Sequence, residues 1–228
     1  WVINPYDELA VEEALRLRET HGGTVTILTV GREKAAEAIR TALAMGADRG
    51  VLVSDPVLEE CDPLSTARVL AAAAKEIPFD LIIAGQRAVD DDAYMVGSAV
   101  AEALGIPSIT MVTKEEISEN RIQCHKTIDG GVAVVDAPLP ALITTQRGLN
   151  DPRYASLPGI MKAKKKPLDS KTLADLGLDS QAFPAVKMKT VALNPPPERK
   201  GGQVIEGETP QEKARELVRI LHEEAKVI

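Results

Sequence analysis

The segment with the clearest chemical character is residues 85–97, GQRAVDDDAYMVG, in which three aspartates stand in a row at positions 90–92. It follows an apolar run typical of a buried strand and precedes a run typical of a helix. A loop between a parallel strand and a helix presents free backbone N–H groups, which bind anions and especially phosphates. Three carboxylates complement the helix dipole but repel a phosphate, unless they point away or bond to ribose and backbone. Nucleotide binding and an acidic helix cap without a ligand are both compatible with this pattern.

A second segment, residues 147–166, reads RGLNDPRYASLPGIMKAKKK. Its prolines and glycine predict an exposed loop, and this loop contains the apolar residues Leu157, Ile160 and Met161. Apolar side chains on an exposed loop beside a basic run predict a docking site, with the lysines attracting an acidic partner protein. The lysines at 162 and 164–166 are equally compatible with an ordinary solvated face. Contact with nucleic acid or membrane is the weakest interpretation, because this short run belongs to a protein of net charge −7.

The rest of the sequence lacks the residue patterns of catalysis or metal binding. His21, His125 and His222 are far apart, and the motifs HExxH, GxSxG and GxxxxGK[ST] are absent. Cys61 and Cys124 lack CxxC spacing, which indicates structural thiols in an intracellular protein and not a zinc site. No apolar run approaches the roughly 20 residues of a membrane span, and no signal peptide is visible. We therefore expect a protein without catalytic residues that is not membrane-embedded and does not bind nucleic acid.

The elements that position the two segments alternate between helix-like and strand-like runs, as in a parallel α/β sheet. The first three helices are predicted to begin at Asp7, Gly31 and Asp62, and the first two are predicted to stop at residues 22–23 and at Gly46. A fourth helix is predicted at about 93–104. Buried strands are predicted at 24–30, 51–53 and 81–84. Alanine-rich helices beside short β-branched strands approach a sheet closely, so the predicted fold is a three-layer α/β sandwich with a mostly parallel sheet.

Residues 108–145 follow a different pattern, that of strands joined by turns, with strands predicted at 108–112, 121–128, 132–135 and 141–145. Asp129, Gly130 and Gly131 stand where a tight hairpin turn requires positive φ angles. This turn role is a better explanation of the IDGG motif than a catalytic role.

The tail of the chain has a composition of its own. Residues 194–202, NPPPERKGG, predict a semi-rigid connector. Thr209, Pro210 and Glu212 predict the cap, first position and capping-box partner of a separate amphipathic helix. Such a helix has little core of its own and must dock, either on this chain or on a partner.

Several segments, in this order, resemble the β subunit of electron transfer flavoproteins. They are VINPYDE at 2–8, AIRTALAMGADRG at 38–50, DDD at 90–92, IDGG at 128–131 and RYASLPGIMKAKKK at 153–166. The last segment is highly specific, and the resemblance covers essentially the whole chain. It implies a Rossmann-like, adenine-nucleotide-binding α/β domain at 1–190, whose first strand lies upstream of Trp1 and which includes a recognition loop at 147–166. It also implies a C-terminal arm at 191–228 that embraces an α subunit.

The resemblance also implies a role and cofactors. In this family the β subunit pairs with an α subunit that carries FAD, and the β subunit ordinarily holds AMP in a structural role. The heterodimer takes electrons from flavin dehydrogenases, such as those acting on acyl-CoA, and passes them through a quinone oxidoreductase toward the quinone pool. The expected location is the cytoplasm of a bacterium or the mitochondrial matrix of a eukaryote.

Positions that match the family give the expected site residues. The cofactor-binding residues are Asn4, Pro5, Tyr6, Asp7, Val30, Gly85, Gln86, Arg87, Ala88, Val89, Asp90, Asp91, Asp92, Ala93, Tyr94, Met95 and Val96. The partner-binding residues are Tyr154, Leu157, Pro158, Ile160, Met161, Lys162 and Lys165. The resemblance implies that Tyr6 also lies toward the flavin and that Leu157 anchors partner dehydrogenases. It implies that Lys162 and Lys165 correspond to lysines that are methylated in some members.

The sequence departs from the family pattern at several positions. Tyr94, Met95 and Val96 follow Ala93 where the family commonly has Asn-Gln-Thr or Asn-Gln-Val, so backbone amides would have to serve as phosphate donors. Thr127 stands where many members have glutamate.

Three alternatives to the ordinary carrier share part of this pattern. In a bifurcating relative this subunit binds a second FAD, but such members usually have a smaller residue in the middle of the DDD segment. A universal-stress-type nucleotide-binding module shares the architecture and leaves the segment around Leu157 unexplained. An ATP-cleaving ligase of the related adenine-nucleotide type would require an SGGxDS motif, which is absent.

Overall fold

Helices and parallel strands alternate through the first half of the chain in the computed structural model, which describes residues 1–179, 187–188, 190–198 and 201–228. The helices are α1 (Pro5–His21), α2 (Ala36–Met45), α3 (Pro63–Ala74) and α4 (Val96–Leu104). The strands between them are β1 (Thr26–Val30), β2 (Arg49–Val53) and β3 (Leu81–Gly85). Short 3-10 helices lie at Glu33–Ala35 and Pro56–Glu60.

The second half begins with antiparallel strands and then returns to the parallel arrangement. Its strands are β4 (Ser108–Ser118), β5 (Arg121–Ile128), β6 (Gly131–Pro138), β7 (Ala141–Thr145) and β8 (Leu168–Lys171). Its helices are α5 (Leu157–Ala163), a 3-10 helix (Ala174–Leu176), α6 (Pro210–Arg219) and a π-helical turn (Ile220–Glu224). The predicted strands in this half are all present, whereas α5 and β8 were not predicted.

Capping groups set two helix starts as predicted. The Asp62 carboxylate accepts a hydrogen bond of 2.8 Å from the backbone N–H of Ser65, which fixes the start of α3. Thr209 and Glu212 form the reciprocal capping box of α6. Between β5 and β6, Gly130 has a φ of 79° in the two-residue hairpin turn, as the IDGG motif predicts.

The start of α1 differs from the prediction that Asp7 caps this helix. The helix begins at Pro5, after Asn4, and Asp7 lies inside its first turn. Proline favours the first helical position because its fixed φ is already helical and its missing N–H is not needed there. Asp7 is thereby free to bond to another part of the chain.

The strands form two hydrogen-bonded sheets. The order of the first sheet is β1-β2-β8, with both neighbouring pairs parallel. The order of the second is β3-β7-β4-β5-β6, in which β3, β7 and β4 pair in parallel and the two hairpin pairs are antiparallel. The carboxyl ends of β3 and β7 lie side by side, with Gly85 paired to Thr145.

Helices cover both faces of the first sheet, because successive side chains of a strand point to opposite faces. Leu52 of β2 packs in a cluster with Leu15 of α1 and Leu43 of α2. Its neighbour Val53 packs in another cluster with Val69 of α3. This arrangement confirms the predicted three-layer α/β sandwich.

The chain divides into two compact units, Trp1–Lys189 and Thr190–Ile228. The first contains all the strands described above. In the second, α6 presents Leu217 and Val218, each about half exposed. Of the predicted connector, residues 194–198 and 201–202 have no helix or strand, while Arg199 and Lys200 lie outside the described residues. No helix in the described ranges is long and apolar enough to cross a membrane. That the tail docks on an α subunit stays a prediction.

Strand β4 carries a carboxyl group in an unfavourable environment for its charge. The Oε2 atom of Glu115 is buried and has no hydrogen-bond partner among the residues that the structure describes. Loss of contact with water, together with the hydrogen bond and charge of the neighbouring Glu13 carboxyl, raises the pKa of Glu115 to about 8. Glu115 therefore holds a proton at a pH where an ordinary glutamate has lost it.

The Glu115→Gln variant should flatten the dependence of stability on pH. Between the ordinary pKa of 4.5 and the raised value of about 8, the folded chain holds a proton that the unfolded chain lacks, so unfolding becomes easier as pH rises. Glutamine cannot ionise, so the variant should gain stability relative to the parent from pH ~5 to pH ~8.5 in urea unfolding. Glu102→Gln, which removes a charge from an exposed position on α4, serves as the control. Parallel pH profiles for Glu115→Gln and its parent would contradict this assignment.

Candidate functional site

The first turn of α1 lies directly against the end of β3. The backbone N–H of Gly85 donates a hydrogen bond of 2.8 Å to the Asp7 carboxylate. A Cβ atom at position 85 would stand 2.9 Å from the Cβ atom of Tyr6 and 3.0 Å from the backbone nitrogen of Asp7. Only glycine permits this approach, so the start of α1 and the end of β3 form one closely packed junction.

Asn4 ties the predicted loop to the same junction. Its amide nitrogen donates to the backbone carbonyl of Arg87 at 2.9 Å and to the Asp7 carboxylate at 2.8 Å. Its amide oxygen accepts from the backbone N–H of Val89 at 3.2 Å. Removal from solvent raises the pKa of Asp7, and the donors Asn4 and Gly85 oppose that rise. The structure thus brings residues 4–7 and 85–89 together across about eighty positions of sequence.

Arg87 is held between two aromatic rings. Its guanidinium carbon lies 5.2 Å from the ring centroids of both Tyr6 and Tyr94, within the range of cation–π attraction. It also donates to the Tyr6 hydroxyl at 3.3 Å and pairs with the Asp92 carboxylate. The hydrogen bond from Arg87 lowers the pKa of Tyr6, against the effect of burial. A fixed cationic side chain with aromatic neighbours is well suited to a ligand with a planar ring or an anionic group.

The three aspartates lie in different environments. Asp92 pairs with Arg87, and the Asp91 carboxylate accepts from the backbone N–H of Ala93 at 3.0 Å. Asp90 is exposed. Helix α4 begins only at Val96, four residues beyond the last aspartate. The carboxylates therefore do not occupy the helix N-terminus, which reduces their repulsion of an anion at that position.

Several polar groups at this edge of the sheet have no partner within the described part of the chain. Helix α4 starts without a side-chain hydrogen bond to its first turn, which leaves N–H groups available for an anion. Gln86 is only 7% exposed, and its amide oxygen is buried without a partner, as is the Nε atom of Arg87. Buried polar atoms normally have partners. These groups fit a nucleotide, with backbone donors for phosphate and with amide and guanidinium groups for base or ribose.

The remaining predicted cofactor residues lie in the same loop, with one exception. Ala88, Val89, Tyr94 and Met95 lie with Arg87 in residues 85–96, and Val89 and Tyr94 are about half exposed. Val30 instead ends β1 in the other sheet and packs against the cluster that contains Val53 and Val69.

Sequence reasoning missed the contribution of β7. The Thr145 hydroxyl is fully buried and donates to the backbone carbonyl of Tyr6 at 2.7 Å. Gln146 accepts from the Gln86 side chain at 3.2 Å, and the positive charge of Arg147 helps to lower the pKa of Tyr6. The available signal was the polar TTQR sequence after an apolar strand, since carboxyl ends of neighbouring parallel strands meet at one edge.

The second predicted segment is a loop only in part: residues 147–156 have no helix or strand, whereas Leu157–Ala163 form the short helix α5 where the prolines and glycine suggested a loop. Pro158 lies in the first turn of α5, and the Ser156 hydroxyl caps it by accepting from the backbone N–H of Gly159 at 3.1 Å. We define the docking surface as the predicted partner residues on and beside this helix. These are Tyr154, Leu157, Pro158, Ile160, Met161, Lys162 and Lys165, all exposed. Tyr154 is 99% exposed and Leu157 76%, so an apolar surface next to Lys162 and Lys165 faces outward.

A buried ion network fixes the chain just before the docking surface. Glu12 of α1 is 3% exposed, and its carboxylate accepts from the Arg153 side chain at 2.8 and 3.1 Å and from its backbone N–H at 3.1 Å. Arg153 also reaches Glu19, and Arg16 bonds to Glu12 at 2.8 Å. Burial by itself raises the pKa of Glu12, but the bonds from Arg153 and Arg16 outweigh burial and lower it to about 2.

Asn150 adds a further tie between this segment and α1. Its amide nitrogen donates to the backbone carbonyl of Leu9 at 3.0 Å and to the Glu13 carboxylate at 2.6 Å. Helix α1 therefore contacts both candidate sites, with its first turn at the junction with β3 and its middle turns beside the residues that precede the docking surface.

The family model for the electron transfer flavoprotein domain matches residues 1–176 of this chain. That match includes the junction at the end of β3 and the docking surface. It assigns the chain to the electron transfer flavoprotein class.

Individual relatives make the assignment more specific. An electron transfer flavoprotein subunit beta from Bacillus subtilis is 49% identical over 100% of this chain and 88% of its own length. The subunit beta from Bradyrhizobium diazoefficiens is 42% identical over 99% of this chain and 86% of its own length. The mitochondrial subunit beta from Oryza sativa subsp. japonica is 40% identical over 99% and 87%. The chain belongs to the electron transfer flavoprotein β-subunit family, as its sequence segments predicted.

Arg153→Met should destabilise the protein, because it leaves the Glu12 carboxylate buried without its main partner. Breaking a fully buried pair costs about 3–5 kcal/mol, and the partial exposure of Arg153 reduces the expected loss to about 2 kcal/mol. Urea unfolding at neutral pH measures this loss. Arg49→Met, which removes the exposed pair with Asp169, should cost less than about 1 kcal/mol. Equal losses in the two variants would show that the Glu12 network contributes no more to stability than an exposed ion pair.

Proposed function

We propose that this chain is the β subunit of a heterodimeric electron carrier that holds AMP, while its α subunit holds most of the FAD contacts. The carrier takes electrons from flavin dehydrogenases, such as those acting on acyl-CoA, and delivers them to a quinone oxidoreductase. The observation that carries this proposal is the outward-facing apolar surface of α5 in a member of this family. An exposed Leu157 on an anchored helix is costly in water and useful in an interface.

The groups at the end of β3 support AMP as the nucleotide of this subunit. The uncapped start of α4 offers N–H groups to a single phosphate. The unpartnered Gln86 oxygen and Arg87 Nε suit the polar edges of ribose or adenine. The site contains no lysine-bearing phosphate loop of the kind that holds a triphosphate.

The residues of this chain act by binding and positioning and not by making or breaking bonds. FAD, when bound, supplies the electron-accepting chemistry. Tyr6 and Arg87 hold the nucleotide junction in place, and the docking surface brings a dehydrogenase close. Among the described residues, no group of three or more His, Cys, Asp or Glu side chains could hold a metal ion. The location follows the source of the protein, the cytoplasm for a bacterium or the mitochondrial matrix for a eukaryote.

Leu157→Ala should slow electron transfer from a dehydrogenase without changing the FAD content of the heterodimer. Removing a central apolar anchor from an interface typically costs about 2 kcal/mol, or roughly thirtyfold in affinity. The measurement is the KM for a purified acyl-CoA dehydrogenase in a steady-state reduction assay. Val134→Ala, which truncates an exposed apolar side chain of β6 outside the docking surface and the C-terminal arm, is the control. An unchanged KM for Leu157→Ala would remove the docking role.

Extraction of nucleotides from the purified heterodimer should yield one FAD and one AMP. Gly85→Ala should lower the AMP yield, because the added methyl group forces Tyr6 and Asp7 away from β3. Gly131→Ala is the matched control, since a Cβ atom there meets nothing within 4 Å. Two FAD molecules per heterodimer would instead indicate the bifurcating type.

A further inference from the structure

We infer that Arg40 and Lys166 are positioning residues for the docking surface. Arg40, on α2, binds the C-terminal end of α5, and Lys166, just after α5, binds the C-terminal end of α2. This inference rests on the proposed function of α5 in docking. It gives Lys166 a role different from that of the other lysines in the basic run.

Lys166 caps helix α2. Its ammonium group donates to three backbone carbonyls at the C-terminal end of α2, those of Leu43 at 2.9 Å, Gly46 at 3.2 Å and Ala47 at 2.6 Å. An ammonium group has three donors, so this arrangement uses all of them. A cation at this end of a helix also interacts favourably with the helix dipole.

Arg40 caps helix α5 in return. It extends from α2, and its Nη1 atom donates to the backbone carbonyls of Ala163 at 2.6 Å and Lys166 at 2.8 Å. These carbonyls lie at and just beyond the end of α5. The two helices are therefore joined by a pair of cation caps that run in opposite directions.

The contact between the helices is close enough to exclude a side chain at one position. A Cβ atom on Gly159 would lie 2.5 Å from the backbone oxygen of Ala44. On the same side of α5, Ala163 is 3% exposed and packs in the cluster that contains Leu43. The backbone of α5 thus rests on the last turn of α2.

The orientation of α5 depends on these contacts. A helix of seven residues is not stable by itself in water, so its direction must be set by the surface on which it packs. The two caps and the Gly159 contact hold one side of α5 against α2, and Leu157 and Met161 are left 76% and 68% exposed. An anchor side chain binds well only when its direction is fixed before the partner arrives.

Lys166 also differs from the other lysines of its run in accessibility. Lys162, Lys164 and Lys165 are exposed, whereas Lys166 is half-buried, and burial lowers its pKa. The expectation that all four lysines form a solvated or partner-steering face is therefore wrong for Lys166.

The kinetic test uses the intact heterodimer and a purified acyl-CoA dehydrogenase. Lys166→Met and Arg40→Met should each raise the KM for the dehydrogenase about tenfold, with kcat and FAD content unchanged. Lys75→Met removes an exposed lysine outside the docking surface and outside the basic run, and should leave the KM within about twofold. Lys166→Arg and Arg40→Lys should restore much of the affinity, because each keeps a donor at the carbonyls.

A double-variant cycle separates positioning from direct contact. If Lys166 acts through the direction of Leu157, then Lys166→Met should have little further effect on the KM in a Leu157→Ala background. A full tenfold effect in that background would overturn the inference. So would unchanged KM values for both single variants while Leu157→Ala alone is impaired, and that result would leave the proposed docking function intact.

Amine labelling of the unmodified heterodimer gives a test that does not depend on the folding of any variant. Lys166 should react with a small acylating reagent at least about tenfold more slowly than Lys164, because its ammonium group is held by three carbonyls. Comparable reaction rates for the two lysines would overturn the inference.

Discussion

The position of helix α1 is the constraint on which both candidate sites depend. Its first turn is pressed against β3 through the bond between Gly85 and Asp7, and its middle turns hold residues 150–153 through Glu12 and Glu13. These carboxyl groups are removed from water, so each requires its partner to be in place. A single helix therefore contacts both the edge of the sheet next to the uncapped start of α4 and the segment that carries the exposed leucine.

The two candidate sites use different physical means to remain ordered. At the junction of α1 with β3, order comes from hydrogen bonds to backbone groups and from the contacts of Arg87 with the rings of Tyr6 and Tyr94. At the docking surface, it comes from cations placed at helix ends and from close backbone packing at Gly159. The first arrangement leaves polar atoms without a partner among the described residues, and the second leaves apolar side chains exposed.

The sequence predicted the features that local chemistry determines. The cap at Asp62, the capping box at Thr209 and the hairpin at residues 129–130 each depend on neighbouring residues alone. The misses depend on distant contacts. From sequence alone, Gly159 indicates a loop. In the structure it lies in a helix, where the close contact with Ala44 requires glycine. The polar strand β8 forms because it pairs with β2. The contact of residues 4–7 with the loop around Arg87 was predicted only from the family resemblance. Hydrophobic periodicity cannot predict a contact between segments so far apart in sequence.

The division of α5 into a fixed side and an outward side has a consequence for how such a carrier can diversify. The groups that set its direction are backbone carbonyls, a glycine and two cations on the inner side, whereas Leu157 and Met161 are mostly exposed. Under the proposed docking role, exchange of the outward residues would alter which electron donors fit without disturbing the scaffold. Exchange on the inner side would affect every donor at once, so tolerance to substitution should differ sharply between the two sides of one short helix.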